Sequence, residues 1–212
     1  MKQNYQLILD KLIAAECGGE RRPTLLLHAC CAPCSSYVLE YLTQYFDITL
    51  FFYNPNISPR EEYDFRANEL CRLVEEMGLA ERVSILHGTY EPERFAEMAK
   101  GLEELPEGGS RCRACYEMRL AESARVAAER GFDFYTTTLS ISPHKNAEWL
   151  NEIGDEMARR FGTRYLTSDF KKRNGYKRSC ALSEEYRLYR QDYCGCIYSK
   201  QAAEKRAKSN ET

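Results

Sequence analysis

Seven of the ten cysteines in this 212-residue chain fall in three tight groups: Cys30-Cys31 with Cys34, Cys112 with Cys115, and Cys194 with Cys196. Thiolates ligate soft metals and attack disulfides, so grouped cysteines point to metal or redox chemistry before structural disulfides. The first group, within His28–Ser36, lies where an apolar run gives way to a helix start marked by Pro33. Free N–H groups and the helix dipole at such a point lower a thiol's pKa. The plain alternative is three small core residues at a strand–helix joint, and three cysteines in five positions argue against it. Cys112 and Cys115 open another helix; three apart, they face the same way and can grip one metal. The C-x-x-C spacing serves zinc, iron–sulfur clusters and dithiol redox pairs alike. With Cys30 and Cys31 it completes a four-thiolate set. Adjacent cysteines bend with difficulty to one tetrahedral zinc, whereas a cubane offers them separate iron corners, which favours iron–sulfur. Cys194-Gly195-Cys196 can close a strained, easily reduced disulfide if the glycine takes a permissive backbone angle. Two spectator thiols near a flexible tail are the alternative there.

The remaining residues weigh less. Cys17, Cys71 and Cys180 read as a helix end, core packing and a loop position. His28, His87 and His144 stand at strand ends, where a lone histidine is more often a hydrogen-bonded packing residue than a ligand. Lys171–Ser179 (KKRNGYKRS) interleaves cations with Tyr and Gly, a pattern that suits phosphate contact and base stacking, though a solvated loop reads the same way. From Arg164 onward there are 12 Lys/Arg against 6 Asp/Glu, in a chain whose net charge is -2. A basic last quarter on an acidic body suggests a polyanionic partner.

These groups need a frame to bring them together. The first 22 residues read as an amphipathic helix ending at Gly18-Gly19. Apolar strands at Thr24–Ala29, Ile48–Tyr53, Arg82–His87, Phe132–Leu139 and Arg164–Thr167 then alternate with helices at Ser35–Tyr45, Glu61–Met77, Glu91–Leu102, Cys112–Arg130 and Asn146–Phe161. A last helix spans Ser183–Arg190, and Ser199–Thr212 reads as a frayed helix or tail. The alternation predicts an α/β fold with a parallel sheet flanked by helices in a single domain, carrying a basic and Cys-rich segment over 171–199. Ligands in such folds sit at the carboxyl ends of the strands, and His28–Ser36, Tyr53–Arg60, Leu139–Lys145 and Thr167–Arg178 all fall there. Composition excludes a disordered chain, with 43% hydrophobic and 29% charged residues. No stretch approaches a membrane span, and the polar N-terminus is unlike a signal peptide, so a cytoplasmic protein is expected.

The motifs HACCAPCSSYV (His28–Val38), FYNPNISPREEYDFR (Phe52–Arg66), CRACYEMRL (Cys112–Leu120), FYTTTLSISPHK (Phe134–Lys145) and GYKRS…YRQDYCGCIYS (Gly175–Ser199) resemble the QueH-type epoxyqueuosine reductases. The resemblance covers most of the chain. It implies a Rossmann-like sheet of the nucleotide α-hydrolase type, without the glycine-rich phosphate loop of ATP-using relatives. It implies a 4Fe–4S cluster on Cys30, Cys31, Cys112 and Cys115, and a redox-active disulfide of Cys194 and Cys196. It also implies a second iron whose ligand position is Cys34 here; an Asp can stand there in a relative, and cysteine is the softer ligand.

The activity implied is the last step of queuosine biosynthesis: removal of the epoxide oxygen of epoxyqueuosine in the anticodon loop of tRNA. That step consumes two electrons and two protons and releases water. Electrons would come from the Cys194/Cys196 dithiol or through the cluster, replenished by an unidentified electron donor; neither a membrane nor DNA is expected as a partner. Tyr193, His144 and Lys145 are candidate proton donors, and Asn54, Arg66, Thr137, Thr138 and Arg178 candidate substrate contacts. Competing readings are a cluster-dependent tRNA sulfur transferase, a zinc-stabilised RNA-binding protein and a thiol–disulfide oxidoreductase using Cys112 and Cys115.

Overall fold

A computed structural model describes residues 3–210. Four parallel strands, β1 (Thr24–His28), β2 (Asp47–Phe52), β3 (Val83–His87) and β4 (Phe134–Thr137), lie in the order β3-β2-β1-β4. β1 pairs Leu26 with Thr49 on one side and with Tyr135 on the other. The expected fifth strand is a single parallel bridge from Tyr165 to Tyr135. Its two hydrogen bonds, Tyr135 N–H to the Arg164 carbonyl and Leu166 N–H to the Tyr135 carbonyl, continue the sheet by one position before the chain turns away. This is the strand order of a doubly wound α/β fold.

The central strands are apolar at nearly every position because both faces are covered. Leu25, Leu27, Ile48, Leu50 and Phe52 point into one core. That core is shared with α1 (Tyr5–Glu16), α2 (Ala32–Leu42) and α3 (Arg60–Glu76). Leu26, Phe51, Tyr53 and Tyr135 point into the other, shared with α5 (Ser110–Glu129) and α6 (Ala147–Phe161). The short α4 (Pro92–Ala99) follows β3 and packs on α5. At about 25 cal/mol per Å² of apolar area buried, each leucine sealed in these layers contributes roughly 2 kcal/mol. No helix among the described residues is long and apolar enough to cross a membrane.

Several boundaries differ from the sequence pattern. The N-terminal helix ends at Glu16, capped at its start by the Asn4 side chain, which accepts the Leu7 N–H; residues 1–2 lie outside the described residues. The basic segment is not a loop. It turns through Arg173 and Asn174, both at positive φ, into α7 (Gly175–Glu185), which packs on α2. Gly175 is required there, since a Cβ would meet the Phe170 carbonyl at 2.0 Å. The helix expected at Ser183–Arg190 therefore sits earlier and is stopped by Arg187, itself at φ 48°. Beyond the last cysteine, Ile197–Asn210 forms α8, and residues 211–212 of the expected tail lie outside the described residues.

Candidate metal and thiol site

β1 ends at His28, and the chain enters α2 through Cys30 and Cys31, with Cys31 extended at the helix N-cap and Pro33 in the first turn. The sulfurs of Cys30, Cys31 and Cys34 lie within 4.8 Å of one another, with Cys30 and Cys31 3.6 Å apart. Thr138 Oγ1 stands 3.8 Å from the Cys30 sulfur. Thiols from Cys31 and Cys34 donate to Cys30 and hold it well below the usual range, helped by the nearby Arg119 guanidinium. Its partners move the other way, Cys31 to about 12, because each gives its proton to Cys30.

The second group opens α5. The Gly108 N–H donates to the Cys112 sulfur at 3.3 Å. Burial pushes Cys115 up to about 11, opposed by Arg119 one turn further on, which hydrogen-bonds it. Arg119 is only 1% exposed and has no carboxylate partner among the described residues. It donates to the Asn54 side chain, whose own amide donates to the Ala29 carbonyl, and the negative charges around it are Cys115, Cys30 and Cys194. One buried cation thus faces a sulfur from each of the three groups. A second, Arg66, bonds Glu62 and lies in the field of Cys31 and Cys30. Beneath them His28 is buried and neutral, its pKa driven down to about 3 by burial. Its Nδ1 lies 2.8 Å from Thr137 Oγ1, and its Nε2 lies 3.1 Å from the Tyr53 carbonyl and 3.3 Å from Arg119 Nε, so the Tyr53 carbonyl and the guanidinium compete for one nitrogen. Thr137 in turn receives the Leu139 N–H.

The third group is a turn clamped to the body. Ser58 N–H donates to the Gly195 carbonyl at 3.0 Å and Arg66 to the Cys194 carbonyl at 3.2 Å. Gly195 takes φ 113°, a backbone angle that favours glycine. Cys196 and Cys115 share a small apolar cluster with Phe95 and Met118, which joins the second and third groups. Cys196 donates to Cys194, whose thiol is held low by that bond and by Lys145 and Arg119. All ten cysteines are free thiols, so the disulfide expected of Cys194 and Cys196 is not formed in this structure.

A cavity of about 450 Å³ opens onto Cys30, Cys31, Cys34, Arg119, Lys145 and Cys194. The first and third cysteine groups therefore share one space; Cys112 and Cys115 do not line it, and Cys115 is linked to it through Arg119. Of the candidate substrate contacts, Asn54, Arg66, Thr137 and Thr138 are buried behind the cavity wall and do not line it. Arg178 instead lies on α7, ion-paired with Glu40 of α2, and does not line the cavity, whereas Tyr176 and Ser179 of the same helix do. The candidate proton donors Lys145, His144 and Tyr193 all line it. Sequence reasoning missed Arg119, although it lies within the CRACYEMRL motif four residues after Cys115. The donor set suits a soft, positively charged centre: buried sulfurs, one of them with its pKa held well below the usual thiol range, with fixed guanidinium groups to offset surplus negative charge.

The family model described as epoxyqueuosine reductase QueH matches residues 25–202. An epoxyqueuosine reductase QueH of Streptococcus pyogenes is 46% identical over 93% of this chain and 78% of its own length. The protein of that description from Staphylococcus epidermidis is also 46% identical, over 93% of this chain and 85% of its own. Among solved structures, a predicted subunit of tRNA methyltransferase from Methanocaldococcus jannaschii is similar at TM-score 0.48 and 14% identity, covering 78% of this chain and 75% of that one.

Proposed function

The chain belongs to the epoxyqueuosine reductase QueH family, and on that premise we propose that this oxidoreductase reduces epoxyqueuosine to queuosine in the anticodon loop of tRNA. The observation that carries the reading at this site is the convergence of two cysteine groups and a buried arginine on one cavity. Cys30, Cys31, Cys112 and Cys115 are the residues that would hold a 4Fe–4S cluster, with Cys34 available to a further iron. When bound, such a centre supplies single electrons and Lewis acidity toward oxygen.

The chain's own residues account for the rest. Cys194 and Cys196 carry two electrons and two protons as a dithiol. Closing the disulfide while the epoxide oxygen departs as water leaves a carbon–carbon double bond, and the balance is complete. Cys194, held low by Cys196 and Lys145, is the member suited to attack or to give up electrons first. Lys145 stands beside it with its ammonium retained despite burial, because Cys194 and its neighbours outweigh the cost of desolvation. It is the group best placed to guide a proton toward the departing oxygen. Asn54, Thr137 and Thr138 stand behind the cavity wall, Arg66 holds the Cys194 turn, and Arg178 contributes at the outer surface toward the RNA. An external electron donor reopens the disulfide between turnovers. A reducing cytoplasm, which keeps such thiols free, accompanies this reading.

The test is anaerobic purification with iron and sulfide analysis, followed by turnover on tRNA carrying the epoxide. The wild type is expected to contain both elements and to turn over repeatedly. Cys194→Ser is expected to keep the iron and lose multiple turnover. Full repeated turnover by Cys194→Ser removes the dithiol from the scheme, and a protein purified with zinc in place of iron and inert toward the epoxide overturns the assignment.

A further inference from the structure

A second cavity of about 860 Å³ adjoins the cysteine cavity, and Pro143, His144 and Lys145 wall both. Its other walls include the start of α1, the start of α6 at Ala147 and Glu148, and the turn Asp169–Arg173 that leads into α7. We propose that this second cavity receives the ribose–phosphate strand adjoining the reacting nucleotide of a single-stranded RNA loop. The proposal rests on the reading that the cysteine cavity acts on a nucleotide in RNA.

Three observations carry it. The first is size and continuity. At about 450 Å³ the cysteine cavity lies in the lower part of the range of small-ligand pockets, enough for one nucleotide. The neighbours of that nucleotide must continue over the shared wall, and the larger cavity begins there. The second is charge. Lys145, Lys171, Lys172 and Arg173 line the cavity against two carboxylates, Glu148 and Asp169, on a chain that is net negative. Asp169 is already taken by Lys171 at 2.6 Å, and Arg173 is fixed by Asp10. The Lys172 side chain is exposed and makes no hydrogen bond or ion pair among the described residues. It is a cation presented at the rim for a phosphate. The third is aromatic surface. Half-buried Tyr5 lines the same space, whereas Tyr116 is packed into the core beneath Lys145, and RNA loops are read by stacking splayed bases on rings such as that of Tyr5.

The experiment measures binding of a labelled synthetic RNA hairpin to the anaerobically purified full-length protein across a salt series, together with turnover on epoxide-bearing tRNA. Lys172→Glu is expected to weaken hairpin binding about tenfold and to lower the slope of log Kd against log salt by about 0.7 for each phosphate it no longer neutralises. It is expected to raise KM for tRNA by a similar factor with kcat unchanged. Arg130→Glu makes the same charge change at an exposed position capping the far end of α5, and is expected to behave as wild type. A Lys172→Glu protein whose affinity and salt slope equal the wild type's overturns the assignment of the cavity while leaving the reductase reading in place. An equal weakening in Arg130→Glu also overturns it, since net charge alone would then explain the effect. A wild type that binds the hairpin and leaves the epoxide intact overturns the reductase reading on which the proposal rests.

Discussion

At the scale of single residues, the site is organised around a cation that lies within the CRACYEMRL motif without a role of its own in the sequence. Arg119 is fully enclosed, and its guanidinium is spent on Asn54, His28 and sulfur. Removing one member of a buried charged set typically costs about 3–5 kcal/mol, because the partners left behind remain charged and dry. Arg119→Met is therefore expected to unfold at lower denaturant and to load little iron. Arg119→Lys keeps the charge and loses the planar fork, so it should recover part of the iron loading but not the full stability. Equal iron content and equal stability in the Met variant would show that the sulfurs need no fixed counter-charge. The cysteines themselves were legible because their type is rare and their spacing unusual. Arg119 was not, being one of 30 Lys/Arg side chains whose special position exists only after α5 has docked on the sheet. His28 is a packing histidine, as a lone histidine at a strand end suggests, and Asn54 serves as a brace between the β1 end and Arg119.

At the scale of elements, hydrophobic runs broken by helical periodicity gave the alternation of β1 to β4 with α2 to α6, and the site falls at the strand ends as that alternation requires. What periodicity could not give was the last quarter. Arg173, Asn174 and Arg187 adopt positive φ without being glycine, so the boundaries of α7 are set by tertiary contact with α2 and not by local preference. The basic segment likewise spends Lys171, Arg173 and Arg178 on intramolecular carboxylates, which a charge count does not reveal. The Cys-Gly-Cys turn is the element most sensitive to one added carbon. A Cβ on Gly195 would sit 3.0 Å from both Arg66 Nη1 and Ile57, at a backbone angle that side chains rarely adopt. Gly195→Ala should cost about 1–3 kcal/mol and reduce turnover by displacing the Cys194 carbonyl from Arg66. Urea unfolding and single-turnover assays check this, and wild-type values in both would mean the turn is freer than its clamps imply.

At the scale of the whole molecule, the end of the sheet opposite the site has its own fastening. Asp133 accepts from Arg21 at 2.8 and 2.9 Å, and from the Thr24 N–H at 2.7 Å, tying the starts of β1 and β4 together. The Arg21 contacts hold its carboxyl far below the usual carboxylate range, with the Thr24 N–H adding to the effect. A carboxylate depressed in the folded state contributes stability above its unfolded pKa of about 3.9, and that contribution drains away as pH falls below it. Asp133→Asn is expected to cost about 1–2 kcal/mol at pH 7, with the gap to wild type narrowing at pH 3. Urea melts at the two pH values test it: an unchanged gap would mean the carboxylate's charge is not what fastens the strands. Iron loading should be untouched, since this fastening lies at the far edge.

The three sulfur groups stand far apart in the order of synthesis, from Cys30 to Cys196. At roughly 5–20 residues per second, the interval between Cys31 and Cys112 lasts on the order of 4–16 s. For that time the growing chain displays its first vicinal pair with no later partner, and the clamp that positions Cys194 cannot close until Arg66, Ser58 and the final turn have all emerged. If a cluster is held as proposed, its four cysteines are not all present until Cys115 has been made, and the Cys194 turn that faces it is placed only near the end of synthesis.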